Sequence, residues 1–384
     1  MNLCYIFIFS FNTFSKYINN MGVKLQELIL REPINISELK GKIVAIDAPN
    51  IIFSLLNFSY KNKQFDLSDL MTDRTQRAIS HLYGLLFRIN FYYSKKIFPI
   101  LCFDGRDSEL KRIVTKDHLH DFRVVKKWYQ DAIQNGNKEL ARKLALGKEF
   151  LWPNIVAESK QLLNALGAPY IESPASAESQ CAHLVKAKIA HYANSQDFDS
   201  LLFGCPSLLQ NVSKSLRRKV QGKWVYNKVS TLKVELEGNL KRLRIDQFQL
   251  VDLAMLIGTD YNPGVKNIGP KTALELMKTY HNLESIIASQ KNRYDFSHFT
   301  PEIIQKIRKI FLDPEVLECL PDFYWDPPNR AKIIELMCED HTLNRVRVDN
   351  NIQKIIESYA ECKNYFIDMK SRPRAVQKTL DMSF

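Results

Sequence analysis

Six carboxylates lie in or just after short apolar runs spread over more than two hundred residues. They are Asp47 in KIVAIDAPN, Asp104 in FPILCFDG, Glu178 in SPASAESQ, Asp197 and Asp199 in SQDFDSLLFG, and Asp260 in LAMLIGTDY. An apolar run of roughly four to eight residues reads as a buried parallel strand. An acid at its end reaches the sheet edge where open α/β folds hold their ligands. The fold class expected is therefore α/β, with a mostly parallel central sheet flanked by helices. So many acids at one edge repel one another unless a cation holds them. Hard divalent ions such as Mg²⁺ bind oxygen ligands, keep several waters and leave room for a substrate phosphate. The pattern predicts metal-dependent phosphodiester chemistry.

At 384 residues the chain exceeds a typical single core, so one large α/β domain with appendages, or two domains, is expected. Its 54 Lys and Arg against 42 Asp and Glu leave a formal charge of +12. A basic balance around an acidic site favours a polyanionic substrate; a merely basic globular protein is the plain alternative. Seven cysteines, an odd number with no C-x-x-C, argue against a disulfide framework and structural zinc, and for a reducing compartment. Residues 1–20 carry an apolar core from Cys4 to Phe11. It is too short to span a bilayer and has no basic leader or small-residue cleavage site. It reads as an upstream extension or a misplaced start ahead of Met21, with a signal anchor as the alternative.

Past Met21, strand-like and helix-like segments alternate. Strands are expected at Lys42–Ile46, Phe98–Phe103 and Pro169–Ile171, with another apolar element at Leu201–Phe203. Helices are expected from Ile51, over Thr75–Tyr93, Val156–Leu166, Ala177–Ala190 and Ile245–Ile257. Ile79, Leu82, Tyr83, Leu86 and Phe87 form a core-facing stripe on the second of these. Ser213–Arg244 is basic and reads as a hairpin excursion around Gln221-Gly222. Residues 111–149 hold ten basic residues against five acidic and lack a dense apolar stripe. They read as a solvated charged helix pair or as a basic arch gripping a single strand. Residues 264–277, GVKNIGPKTALELM, join a glycine-bearing turn to an amphipathic helix. Backbone amides at such a helix N-terminus can cradle a phosphate without reading sequence.

Taken together, MGVKLQELI, KIVAIDAPN, ISHLYGLLFR, FDG, LLNALGAPYIESP, SQDFDSLLFG, LIGTDYNPGVKNIGPKTALELM, FLDPEV and the terminal QKTLDMSF resemble the structure-specific 5′-nuclease superfamily. The likeness is to its archaeal and eukaryotic flap endonuclease branch, from Met21 to Phe384. That resemblance implies a PIN-like 5′-nuclease fold with a helical arch over the active site and a C-terminal helix-hairpin-helix region. It implies cleavage of flapped DNA in replication and repair with two Mg²⁺ ions, for which Mn²⁺ can substitute, and no nucleophilic side chain. Asp47, Asp104 and Glu178 would serve one ion, and Asp197, Asp199 and Asp260 the other. Lys111, at the arch base, would touch the scissile phosphate as a point charge. Phe53 stands where a tyrosine stacks on a terminal base, with core packing as its alternative, and Arg88 where an arginine contacts DNA. Gly269 and Lys271 belong to the hairpin turn, which in the family also holds a K⁺ ion bridging to DNA.

Besides Phe53, three positions depart from the family pattern. Ser176 replaces the first of two glutamates near metal, and a hydroxyl is the weaker ligand for a hard cation. A water or Glu172 could take its place. His118 stands where the arch has an arginine, and Lys116 or Arg123 would substitute. At the terminus, Gln377, Leu380 and Phe384 match a peptide that docks on a PCNA-type sliding clamp, but Ser383 fills the first aromatic slot. One hydrophobic anchor, often worth about 2 kcal/mol or more, is absent, so a weak clamp interaction is expected.

The organisation expected is a leader (1–20), an N-terminal nuclease region (21–125) overlapping the arch (111–149), and an internal nuclease region (150–280) with the hairpin unit at 258–278. A C-terminal helical part (281–369) and a flexible tail (370–384) follow. A monomer without membrane association is expected, intracellular: nuclear if eukaryotic, cytoplasmic if archaeal. The competing reading is a DNA-structure-binding paralogue whose catalysis Ser176 impairs.

Overall fold

The computed structural model describes residues 23–56, 60–61, 64–65, 71, 73–74, 77–105, 127, 130–132, 134–137, 148–213, 215–220 and 223–371. The leader, most of 111–147, and the tail beyond Ser371 lie outside them. The elements that build the site are β1 (Glu32–Ile34), β2 (Ile43–Asp47), α1 (Ala48–Leu56), α2 (Ser80–Ser94), β3 (Phe98–Phe103), α3 (Lys148–Ala165), β4 (Tyr170–Glu172) and α4 (Ala177–Lys186). After these come β5 (Tyr192–Asn194), α5 (Asp199–Leu202), β6 (Ser207–Gln210), β7 (Thr231–Glu235), α6 (Leu236–Leu243), α7 (Gln247–Ile257) and α8 (Pro270–Tyr280). The chain continues with α9 (Leu283–Gln290), α10 (Pro301–Leu312), α11 (Arg330–Ile334) and the long α12 (Arg345–Ser371).

One seven-stranded sheet runs in the order β1-β7-β6-β5-β2-β3-β4. Its five strands from β6 to β4 are mutually parallel, and β7 and β1 close one edge antiparallel. The mostly parallel sheet expected from the apolar runs is the one observed. Successive side chains of a strand point to opposite faces, so β2 and β3 feed two cores. Val44, Ile46, Leu101 and Phe103 pack on one side with residues of α1, α2, α3 and α12. Ala45, Ile100 and Cys102 pack on the other with α4, α5, α7 and α10. Both faces are covered, which is why these strands read as continuous apolar runs.

Several boundaries differ from expectation. Helix α3 starts at Lys148 and carries Pro153 inside it, whereas a proline normally ends a helix and had placed the start after it. Helix α4 stops at Lys186 because Lys188 turns left-handed (φ 59°) and Ile189 and Ala190 both donate to the Leu184 carbonyl. Phe87 is 52% exposed, so the expected stripe on α2 breaks there. The excursion after Ser213 contains a hairpin, Ser215–Val220 with Lys223–Lys228, but its end returns to the sheet as β7.

Two ionic clusters brace the parts around the sheet. In the first, the Arg308 guanidinium of α10 meets Asp252 of α7 through both carboxylate oxygens (2.8 and 2.7 Å) and Glu284 of α9 at 2.6 Å. Asp252 also accepts from the Leu283 N–H, so one buried arginine fixes three helices around α8. In the second, buried His341 lies 3.1 Å from Asp73 Oδ2 and 3.3 Å from Glu158 Oε1 on α3, and His81 of α2 lies 2.8 Å from Glu158 Oε2. Burial opposes charge on His341, but the hydrogen bond and charge of Glu158 outweigh it and hold its pKa above 6.5. Glu158, despite burial, is pulled down to about 2 by bonds from His341 and His81.

A histidine whose folded pKa is raised stabilises most below its unfolded value, and that contribution fades as pH climbs through the folded one. His341→Gln should therefore lower the melting temperature most near pH 6, with the deficit shrinking toward pH 9. A deficit independent of pH, read by thermal melts across this range, would show that His341 is not protonated in the fold.

Candidate active site

The order of the parallel strands decides where the acids meet. From β2 the chain crosses to β3 and β4 on one side, and later to β5 and β6 on the other. Strand order therefore reverses at β2, and the crevice beyond the carboxyl ends at such a switch point is where open α/β sheets bind ligands. Asp47 is the last residue of β2, opposite Cys102 of β3. Asp104 follows β3 directly, Glu178 sits in the first turn of α4, and Asp197 lies in the loop after β5. Asp199 opens α5, and Asp260 follows α7. Gly105 is needed beside Asp104 because a Cβ there would lie 1.9 Å from the Ser173 carbonyl oxygen.

Most of these carboxylates already have donors. Asp47, 4% exposed, caps α1 by accepting from the Asn50 N–H (3.1 Å) on Oδ1, and accepts from Ser195 Oγ (2.9 Å) on Oδ2. The Asp104 Oδ1 accepts from the Ala177 N–H (2.8 Å), which seats it at the positive end of α4. Asp199 accepts from the Val23 N–H at 2.8 Å, so the first described residue of the chain abuts the site. Asp197 Oδ2 accepts from Asn50 Nδ2 at 2.7 Å.

Electrostatics ties the six together. Burial, then the charges of Asp104 and Asp197, push Asp47 up to about 7, against the bonds from Asn50 and Ser195. Burial and Asp260 push Asp197 up to about 6. Glu178 is driven well above the usual carboxylate range by burial and by Asp199, Asp47, Asp197 and Asp260. Every charge named in these shifts is another carboxylate. Among the described residues, no three His, Cys, Asp or Glu side chains close on one ion. The acids gather hard oxygen donors at the carboxyl edge of the sheet without closing on one point, an arrangement suited to ions that keep much of their water.

Residues 167–260 match the XPG I-region family model, a span that includes Glu178, Asp197, Asp199 and Asp260. Flap endonuclease 1 of Methanosarcina acetivorans is 34% identical over 366 residues, covering 95% of this chain and 100% of its own. That of Sulfolobus acidocaldarius is 37% identical over 336 residues, covering 87% of this chain and 94% of its own. The chain belongs to the flap endonuclease family. Flap endonuclease-1 from Methanococcus jannaschii superposes with a TM-score of 0.67 at 28% identity, covering 88% of this chain and 99% of its own. The catalytic core of Rad2 in complex with DNA substrate gives 0.60 at 21% identity, covering 85% and 95%, a likeness of fold alone.

Within this flap endonuclease fold, Ser176 is committed elsewhere: it is the N-cap of α4, its Oγ accepting from the Ser179 N–H at 3.1 Å. Glu172 does not take its place, because it is exposed and ion-paired with Lys160 at 2.8 Å. Phe53 is half-buried on α1. Arg88 is half-buried on α2 and donates to Ser213 Oγ; burial lowers its pKa. The turn 258–269 joins α7 to α8, with Gly269 as N-cap of α8 and Lys271 exposed in its first turn. Gly269 has an ordinary φ of −94°, so glycine is not required there by backbone conformation. It leaves open space over the helix end, with nothing within 4 Å of a would-be Cβ. Lys111, Lys116, His118, Arg123, Gln377, Leu380, Ser383 and Phe384 lie outside the described residues. Asn50 and Ser195 were not anticipated. The sequence signal was faint: an Asn three residues after a strand-end Asp, and a Ser two before the next one.

For acids whose folded pKa is raised above 3.8, the folded state keeps its protons longer than the unfolded chain. Their contribution therefore favours folding at low pH, falls as pH rises from about 4, and levels off above about 6 for Asp197 and about 7 for Asp47. The chelator-treated protein should melt at progressively lower temperature from about pH 4 to about pH 7. Asp47→Asn should flatten that fall, and Mg²⁺ should reverse it. A flat profile of the metal-free protein would contradict the mutual repulsion.

Proposed function

We propose that the chain is a structure-specific 5′-flap endonuclease and 5′–3′ exonuclease that hydrolyses DNA phosphodiesters at branched 5′ ends using two divalent ions. The observation that carries this is the set of six electrostatically linked carboxylates at the sheet's switch point, in a chain that matches full-length flap endonucleases. Asp47, Asp104 and Glu178 would hold one ion, and Asp197, Asp199 and Asp260 the other. When bound, such ions activate the attacking water and stabilise the departing oxygen.

The rest of the work falls to side chains that place the DNA. Lys111 supplies a positive charge to the scissile phosphate, so it is grouped with the six acids as catalytic. Phe53 offers a ring for a terminal base. Arg88 on α2, held by Ser213 just ahead of the hairpin strands, contacts the DNA backbone, and the open N-terminus of α8 at Gly269 and Lys271 takes a duplex phosphate, with K⁺ as a bridging ion. The Arg308 cluster ties α7, which leads toward Asp260, to α9 and α10, the two helices that follow α8. Gln377, Leu380 and Phe384 give a weak attachment to a PCNA-type clamp. The chain acts as a monomer. Among the described residues no helix is long and apolar enough to cross a membrane.

One observation favours the second reading, a DNA-structure-binding paralogue with impaired catalysis: the Ser176 hydroxyl is spent on a helix cap. Cleavage of a 5′-flap duplex across Mg²⁺ and Mn²⁺ titrations, beside binding of the same duplex, separates the two. We expect cleavage by the wild-type protein. Ser176→Glu should lower the Mg²⁺ needed for half-maximal rate several-fold, at the cost of a cap worth about 1 kcal/mol. Binding without cleavage in either metal would establish the paralogue reading, and an unchanged metal requirement in Ser176→Glu would show that the serine costs nothing.

A further inference from the structure

We infer that Asn50 and Ser195 are paired positioning residues that set the distance between the two groups of metal-binding acids, an inference that rests on the two-ion reading above. The bonds cross between two elements that belong to different ion groups. Asn50, on α1, donates from its backbone to Asp47 (3.1 Å) and from its amide to Asp197 (2.7 Å), and its Oδ1 accepts from the Gln196 N–H (3.3 Å). Ser195, in the loop after β5 and 1% exposed, donates its hydroxyl to Asp47 (2.9 Å) and accepts from the Asp197 N–H (3.2 Å). Each residue therefore bonds to both Asp47 and Asp197, Asn50 from α1 and Ser195, through the Asp197 backbone N–H, from the loop after β5. Asp47 and Asp197 repel, and each has burial against its charge as well. Left to the β2 and β5 backbones alone, both would lean away from each other.

The choice of atoms also decides which oxygens face the cleft. Both oxygens of Asp47 already have one donor each, which fixes the plane of its carboxylate. On Asp197, Asn50 occupies Oδ2, and Oδ1 takes no hydrogen bond from a described residue. The bridge thus tethers one oxygen of Asp197 to α1 and leaves the other for an ion. Groups that orient first-contact ligands in this way typically change metal affinity by about 10–100-fold when removed.

The test uses the full chain and four variants: Asn50→Ala, Ser195→Ala, their combination, and Ser195→Thr, which keeps the hydroxyl. Three quantities are read: Mn²⁺ binding to the DNA-free protein by calorimetry, the Mg²⁺ dependence of flap cleavage, and flap-duplex affinity in Ca²⁺. Each alanine variant should lose about tenfold in affinity for the weaker Mn²⁺ ion and need about tenfold more Mg²⁺, while duplex affinity stays within twofold. The double variant should be little worse than either single, since both act on one bridge, and Ser195→Thr should restore the wild-type values. Lower melting temperatures with unchanged Mn²⁺ binding and Mg²⁺ dependence would show an ordinary packing role and overturn the inference. So would failure of Ser195→Thr to restore them. Should the wild-type protein bind no Mn²⁺, the two-ion reading itself falls, and this inference with it. Wild-type binding matched by the variants rejects the bridge alone.

Discussion

Repulsion among carboxylates at the carboxyl edge of the sheet is the constraint around which the molecule is arranged. Burial and neighbouring acids raise Asp47, Asp197 and Glu178 together, so ionising them opposes folding. The fold counters it locally with oriented dipoles: the N-terminus of α4 under Asp104, the Val23 N–H on Asp199, and the Asn50 and Ser195 bonds. It counters it globally by burying both faces of the parallel sheet in separate apolar cores. A site of this kind concentrates destabilising charge where chemistry requires it, and the rest of the chain holds that charge in place.

The strands that carry the first acids were legible because they are buried on both faces. β2 and β3 match the expected runs to within a residue at each end. β5 and β6 were not, since Tyr192–Asn194 has no apolar run and its register with β2 is set by tertiary pairing. The apolar segment read near Leu201 is the short helix α5, whose leucines face the core behind Asp199. At one edge of the sheet β1 pairs with β7 and β7 in turn with β6, and the short mixed sequences of β1 and β7 resemble loop. For the site, charged residues announced themselves through position and spacing. The neutral residues that orient them did not, because Asn50 and Ser195 have the composition of any turn.

The same distinction explains where family resemblance was informative and where geometry added to it. Resemblance flagged Ser176 as a missing acid, and the structure gives that residue an alternative occupation as the cap of α4. It also marked Gly269, whose value turns out to be open space above a helix end. Neither resemblance nor pattern pointed to Arg308. Its contacts with Asp252 and Glu284 nevertheless couple the helix that precedes Asp260 to the two helices that follow α8. The loop that carries Asp260 and the turn that leads into α8 therefore both follow α7, the helix that Arg308 ties to α9 and α10.

The central claim is that the six carboxylates organise two ions at the switch point. Anomalous diffraction from crystals of the protein with a 5′-flap duplex and Mn²⁺ tests it most directly. Two peaks are expected at the carboxyl edge of the sheet, one beside Asp47, Asp104 and Glu178 and the other beside Asp197, Asp199 and Asp260. A single peak there, or Mn²⁺ bound only away from this edge, would contradict it.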